Sequence, residues 1–176
     1  MQILALFYDS HAVPECSGLS TLKDVTMSGS GDFTINGDLK SGTGFALRKS
    51  GSGDFKASKI TATDISLSSS GAGYIDMNGA DCTIIMVHIS GSANVDCGTV
   101  KSQICAIEIK GSGNVSINGN TDSVQFDIAG SGDIHAGNFK AKSGKATIAG
   151  SGDITCNVER LSDRVRGSGD VTNRYD

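Results

Sequence analysis

The sequence predicts an all-β fold: a single-stranded parallel β-helix, or solenoid, of about eight coils with about 20 residues each. Three observations predict it. A Gly-Ser-Gly-Asp phrase recurs at a nearly constant interval, alternating apolar and polar residues fill the intervals, and the 176 residues include 24 Gly but one Pro. Proline is excluded from central strands because it cannot donate to a ladder. We expect a right-handed helix that forms one repeat domain over residues 23–176, preceded by a cap segment over residues 1–22.

The repeated phrase marks one corner of every coil. Its first glycines are separated by 22, 20, 20, 20, 19, 20 and 17 residues, a regularity that chance does not produce. Glycine readily adopts backbone conformations with positive φ, and Asp or Asn closes turns by bonding nearby backbone amides. The phrase therefore predicts a structural turn column that comprises Gly29, Gly31, Asp32, Gly51, Gly53, Asp54, Gly111, Gly113, Asn114, Gly130, Gly132, Asp133, Gly150, Gly152 and Asp153.

The runs between the phrases assign side chains to the core or to solvent. Side chains of a strand point alternately to its two faces, so the apolar members of each run should share the inward face. In two adjacent runs the inward set is Val115, Ile117, Phe126 and Ile128, and the outward set is Ser116, Gln125 and Asp127. Cys97 and Cys156 fall in inward columns and are predicted to be small core residues.

The acidic members of the turn column raise the alternative of a cation site. Stacked carboxylates supply the oxygen ligands that calcium favours, but Tyr74 interrupts the column and Asn replaces Asp in the next two coils. The only uninterrupted acidic run is Asp133, Asp153 and Asp170, which are the weak candidates for a metal. Turn chemistry is the preferred interpretation, and no metal or other cofactor is assigned.

The remaining features point away from catalysis and from nucleic acid. The three histidines form no constellation with Ser, Cys or Asp, and coils of nearly constant length leave no long loops to build a cleft, so we do not expect an enzyme. A net charge of −4 gives no electrostatic reason for nucleic-acid binding. No apolar stretch approaches the length of about 20 residues that a membrane helix needs.

Two regions break the repeat and are candidates for contacts. Ile84, Met86 and His88 alternate with inward residues, so they should form an outward contact patch that is unusually apolar; a strand covered by the N-terminal segment is the alternative. At the C-terminus the last interval shortens to 17 residues. Only charged residues protect the strand edge there, namely Arg160, Asp163, Arg164, Arg166, Arg174 and Asp176. Charge blunts an edge less completely than a covering segment does, and an open edge templates further pairing, so we expect a homodimer through the C-terminal coil.

The Gly-Ser-Gly-Asp corners, with Ile35-Asn36-Gly37 and Ile117-Asn118-Gly119 after them, resemble the auto-transporter adhesin "head GIN" domain family over residues 23–174. The resemblance implies a right-handed β-helix on exported or surface proteins, with no catalytic residues. The expected function is therefore a non-catalytic surface or adhesion module that presents a rigid repetitive face to a protein or carbohydrate ligand. Two alternatives stay open: an intracellular structural polymer of the bactofilin kind, and a carbohydrate-binding β-helix. Five Cys and the absence of a recognisable signal peptide also leave an intracellular location open.

Overall fold

The computed structural model of the chain describes residues 22–175, together with the backbone of residues 5–7 and 15–17. These residues form strands and no helix. The strands are β1 (Ala5–Phe7), β2 (Glu15–Ser17), β3 (Asp24–Met27), β4 (Phe33–Asn36), β5 (Leu39–Lys40), β6 (Gly44–Lys49), β7 (Phe55–Thr61), β8 (Asp64–Ser69), β9 (Tyr74–Asp81), β10 (Ile84–Ile89), β11 (Asn94–Lys101), β12 (Ile104–Ile109), β13 (Val115–Ile128), β14 (Ile134–Gly150), β15 (Ile154–Gly167) and β16 (Val171–Asn173). The predicted all-β solenoid of about eight coils is confirmed.

Every strand pairing in the described residues is parallel, and the pairings form three ladders. Face A contains the strands that precede the repeated phrase, from β3 through β6, β8, β10 and β12 to the second halves of β13, β14 and β15. Face B contains the strands that follow it, from β4 to β16. Face C contains β5 and the segments that continue the face B strands. The strand pairings do not test the handedness of the helix, so the expected right-handed sense stays a prediction.

A single apolar core runs the length of the stack. The predicted inward residues Val115, Ile117, Phe126 and Ile128 are all buried, whereas Gln125 is exposed, so the register read from the sequence is confirmed. Aromatic rings of neighbouring coils also pack on each other: the Phe33 and Phe55 rings stack with centroids 5.9 Å apart. Because one coil cannot bury its own apolar face, the stacking supplies most of the hydrophobic stabilisation.

One lysine lies inside the stack, which the sequence analysis did not anticipate. Lys49 occupies the face A column between Met27 and Ser69 and is 2% exposed. Its ammonium donates to the backbone carbonyls of Ala72 and, at 3.2 Å, Gly51. Burial lowers the pKa of Lys49, and the carboxylates of Asp54 and Asp32 oppose that shift. The hydrogen bonds to these two carbonyls thus stabilise the Lys49 ammonium inside the core.

The N-terminal strands continue the ladders. Ala5 is in register with Val25, and Glu15 is in register with Thr34, offsets close to the 20-residue repeat. The side chains of residues 1–21 lie outside the described residues, so the predicted capping role of this segment stays a prediction. Among the described residues there is no helix long and apolar enough to span a membrane.

The C-terminal end is better covered than the sequence suggested. The sequence showed only charged residues there, but the side chain of Asn173 closes part of the edge. Its amide oxygen accepts from the Val158 amide at 2.9 Å, and its amide nitrogen donates to the Val158 carbonyl at 2.8 Å. Asn173 therefore replaces the backbone of a missing strand at one point of face C.

The face A segment of β15 has no strand beyond it among the described residues. The register places Asp163 in an inward column beside Ala146, and it places Arg160, Arg164 and Arg166 outward. Inward-pointing charges are a known protection of strand edges. The dimer stays a prediction. If residues 160–166 of two copies paired as antiparallel strands along their whole length, Arg160 of one copy would lie opposite Arg166 of the second copy. The same pairing would also set Asp163 against its own counterpart.

Candidate binding groove

The Asp and Asn side chains of the turn column hold neighbouring coils together. A side-chain oxygen of each accepts a hydrogen bond from the backbone amide of the equivalent residue in the next coil. The donor–acceptor distance is 2.8 Å from Asp54 to Asp32, 2.8 Å from Asp153 to Asp133 and 2.9 Å from Asp133 to Asn114. The column therefore consists of inter-coil bonds, which an Asn amide oxygen makes as well as an Asp carboxylate.

The turn column requires glycine mainly because the backbones of neighbouring coils approach each other closely there. We expected positive φ at both glycines of each phrase; Gly29 has φ of 101°, but Gly111 and Gly113 do not have positive φ. A Cβ on Gly111 would lie 2.2 Å from the Gly91 carbonyl oxygen, and one on Gly113 would lie 2.0 Å from the Ala93 carbonyl oxygen. The sequence-based reason was thus incomplete, because the absent Cβ chiefly makes room for the carbonyl of the preceding coil.

The acidic run of Asp133, Asp153 and Asp170 has few free oxygen atoms with which to bind a cation. One oxygen of Asp133 and one of Asp153 already accept amide hydrogens, the second from Asp170 at 2.8 Å. The described residues contain no group of three or more His, Cys, Asp or Glu that could hold a metal ion. Asp133, Asp153 and Asp170 are brought together in one column, as the sequence indicated, and the carboxylates of Asp133 and Asp153 bond backbone amides.

The predicted contact patch on face A is larger than the sequence analysis proposed. Met86 is 46% exposed, and Ile104 of the next coil, in register with Ile84, is 47% exposed. Ile104 was missed, although it alternates with Cys105 in the same way that Ile84 alternates with Ile85. His88 stands apart from this apolar area, because its Nδ1 lies 2.8 Å from the Glu108 carboxylate.

The thiols are core groups. Cys97, Cys105 and Cys156 are buried free thiols, as predicted for Cys97 and Cys156. Burial raises the pKa of Cys97 to about 12. Since the thiolate is the reactive form, these side chains are inert at neutral pH.

A groove of about 500 Å³ lies on face B, where the turn column is interrupted. Its floor follows one outward column, in which each residue is in register with the next: Lys56, Asp76, Asp96, Ser116 and His135. The three central side chains are short and the two end side chains are long, so the column is hollow in the middle. At about 4.8 Å per coil, its ends are about 19 Å apart.

Tyr74 forms the side of the groove and is 57% exposed. It occupies a turn-column position, so its coil lacks the side-chain oxygen that bonds the next coil elsewhere. The Asn94 amide instead donates to the Gly73 carbonyl at 3.0 Å, and Gly73 has φ of 81°. The interruption at Tyr74 is visible in the sequence, but the groove depends on which columns lie side by side, and the sequence does not show that.

Comparison with protein families gives a match over most of the chain. The family model described as "Putative auto-transporter adhesin, head GIN domain" matches residues 18–118 and again residues 80–174. The two matches overlap and together span most of the chain, as expected when one repeat pattern fits in more than one register. Comparison with curated proteins and with solved structures found no match.

Proposed function

Because the chain belongs to the family described as putative auto-transporter adhesins with a head GIN domain, we propose that it is a non-catalytic adhesion module of the cell surface. The observation that carries the proposal is the absence of projecting loops from the described coils. Each corner is closed by bonds to the next corner, so the three faces are rigid. A rigid face binds a ligand with little loss of conformational entropy.

The described side chains support a binding role over a catalytic one. The buried thiols have raised pKa values, as for Cys97, and the column carboxylates are bonded to backbone amides. The groove on face B instead offers exposed side chains on a fixed backbone.

The charges at the C-terminal end also favour a discrete module over an end-to-end polymer. Asp163 lies in the core column that Phe126 and Ala146 occupy in the two preceding coils. Stacking another coil onto it would bury that carboxylate, which costs several kcal/mol unless it is paired.

The experiment uses an antibody raised against the purified chain. Intact producing cells should be labelled as strongly as lysed cells, and Fab fragments should reduce attachment of these cells to a surface. Fab fragments from pre-immune serum are the control. Labelling that requires lysis, or attachment that the specific Fab leaves unchanged, would contradict the proposal.

A further inference from the structure

Tyr74 breaks the structural rule of the column without any gain in packing. Its neighbours in the column, Asp54 and Asn94, each use a side-chain oxygen to bond the next coil. Tyr74 cannot do so, and its ring is largely exposed rather than packed in the core. Where a sequence departs from a rule that its fold otherwise keeps, the departure commonly serves function.

Only part of the polar lining around Tyr74 is used by the fold, for example Asp96, whose carboxylate accepts from the Gly98 amide at 2.9 Å. Lys56 is directly in register with Asp76, yet no ion pair joins them, and within the part of the chain that the structure describes the side chains of Asp76 and His135 have no hydrogen-bond partner. Several charged groups elsewhere are paired, for example Lys142 with Asp122 at 2.7 Å and Lys110 with Glu108 at 2.6 Å. The groove thus combines an exposed aromatic ring with unpaired donors and acceptors.

The groove excludes three common classes of ligand. Both edges of each face B strand in this region are already paired, so an extended peptide cannot add as a further strand. The lining has three carboxylates, Asp54, Asp76 and Asp96, and one lysine, so a polyanion would be repelled. An amphipathic helix would need an apolar groove, and the outward lining is polar apart from Tyr74.

We propose that this groove binds a neutral oligosaccharide chain that lies along the solenoid axis. The ring of Tyr74 offers an apolar surface for the C–H face of one sugar. The carboxylates of Asp76 and Asp96 and the hydroxyl of Ser116 meet its hydroxyls, which both donate and accept. The length of about 19 Å at about 4.8 Å per coil suits a linear chain of several sugars. The inference deepens the proposed adhesion function, since it names the ligand class and the face that binds it.

The test is a binding screen of the purified chain against immobilised neutral oligosaccharides, namely β-1,4-glucan, β-1,3-glucan, α-1,4-glucan, xylan, mannan and chitin hexamers. Heparin hexamers serve as the anionic comparison. At least one neutral hexamer should bind in calorimetry and heparin should not. Binding of heparin alone, or of no hexamer at all, would overturn the proposal.

The decisive variant is Tyr74→Asn, because Asn is the residue that the column uses in the next coil. It should weaken hexamer binding at least tenfold while the melting temperature stays equal or rises, since the new amide oxygen can accept from the Asn94 amide. Tyr175→Asn removes a tyrosine of similar exposure, 50%, away from the groove, and should leave binding unchanged. Equal binding by wild type and Tyr74→Asn, or equal loss in both variants, would overturn the proposal.

The outcomes separate this inference from the proposed function. If Fab fragments block cell attachment but Tyr74→Asn attaches as wild type does, the chain is an adhesin whose ligand binds elsewhere. If the hexamer binds through Tyr74 but intact cells carry no label, the groove is a sugar site and the surface function is wrong.

Discussion

Asp133 is the residue through which the structural role of the turn column can be measured. Its side-chain oxygen accepts from the Asp153 amide at 2.8 Å. Replacing Asp133 with Ala leaves that amide without its acceptor, whereas Asn keeps an oxygen at the same position. The two variants therefore separate the hydrogen bond from the charge.

The expected magnitude follows from the bond and its surroundings. A hydrogen bond to a charged acceptor contributes about 1.5–3 kcal/mol, and solvent access to both residues favours the lower end, about 1.5 kcal/mol. For a chain of this length that loss lowers the melting temperature by about 3–6 °C. Asp133→Asn should change the free energy of unfolding by less than about 0.5 kcal/mol, because the adjacent coil already uses Asn114 in this way.

The assay is thermal unfolding together with hydrogen exchange at the Asp153 amide. In Asp133→Ala this amide should exchange about tenfold faster, which corresponds to about 1.4 kcal/mol of local opening. Amides two coils away should be unaffected, since each coil contacts only its neighbours. If Asn destabilises as much as Ala, the negative charge is what matters and the cation-site interpretation gains; if Ala changes nothing, the column is not structural.

Four further predictions follow from the corner, the core lysine, the acidic run and the free edge. Gly111→Ala should destabilise the chain by about 2–3 kcal/mol, because its Cβ would lie 2.2 Å from the Gly91 carbonyl oxygen; Ser112→Ala is the control and should be neutral in the same denaturant titration. Lys49→Met should raise the free energy of unfolding at pH 7, because burial disfavours the charged ammonium and lowers the pKa of Lys49. Between the lowered pKa of Lys49 and its ordinary value of 10.5 the unfolded chain binds more protons, so wild type should gain stability with rising pH, and the Met variant should gain less. Chelation with EDTA should leave the melting temperature unchanged, and a calcium-dependent increase of several degrees would restore the metal interpretation. Light scattering with and without residues 159–176 tests the dimer, which should strengthen at high salt because salt screens like charges; a monomer at every salt concentration contradicts it.

The repeat allowed the fold to be predicted because every coil carries the same information. A shift of one residue would turn every side chain over, so eight aligned copies fix the register. The same alternation, applied strictly, places Lys49 inward with Phe45 and Leu47. The sequence alone does not single Lys49 out, because lysine side chains are ordinarily solvated. Only the nearby carbonyls of Gly51 and Ala72 explain how the core tolerates it.

The candidate site could be predicted only in part. The sequence identifies Tyr74 as an interruption, but the groove depends on long side chains at Lys56 and His135 and short ones between them. That comparison runs across coils and becomes visible only when the columns are in register. The glycines likewise show their main constraint only when the carbonyl of the preceding coil is in place.

The central claim is that the regular corners hold the solenoid together and that their interruption at Tyr74 makes the binding site. The most direct measurement is an amide chemical-shift titration of the isotope-labelled chain with the hexamer that binds most tightly. The account predicts shifts confined to residues 54–56, 74–76, 94–96, 114–116 and 135. Shifts centred on the apolar patch at Ile84, Met86 and Ile104, or on the acidic run at Asp133, Asp153 and Asp170, would contradict it.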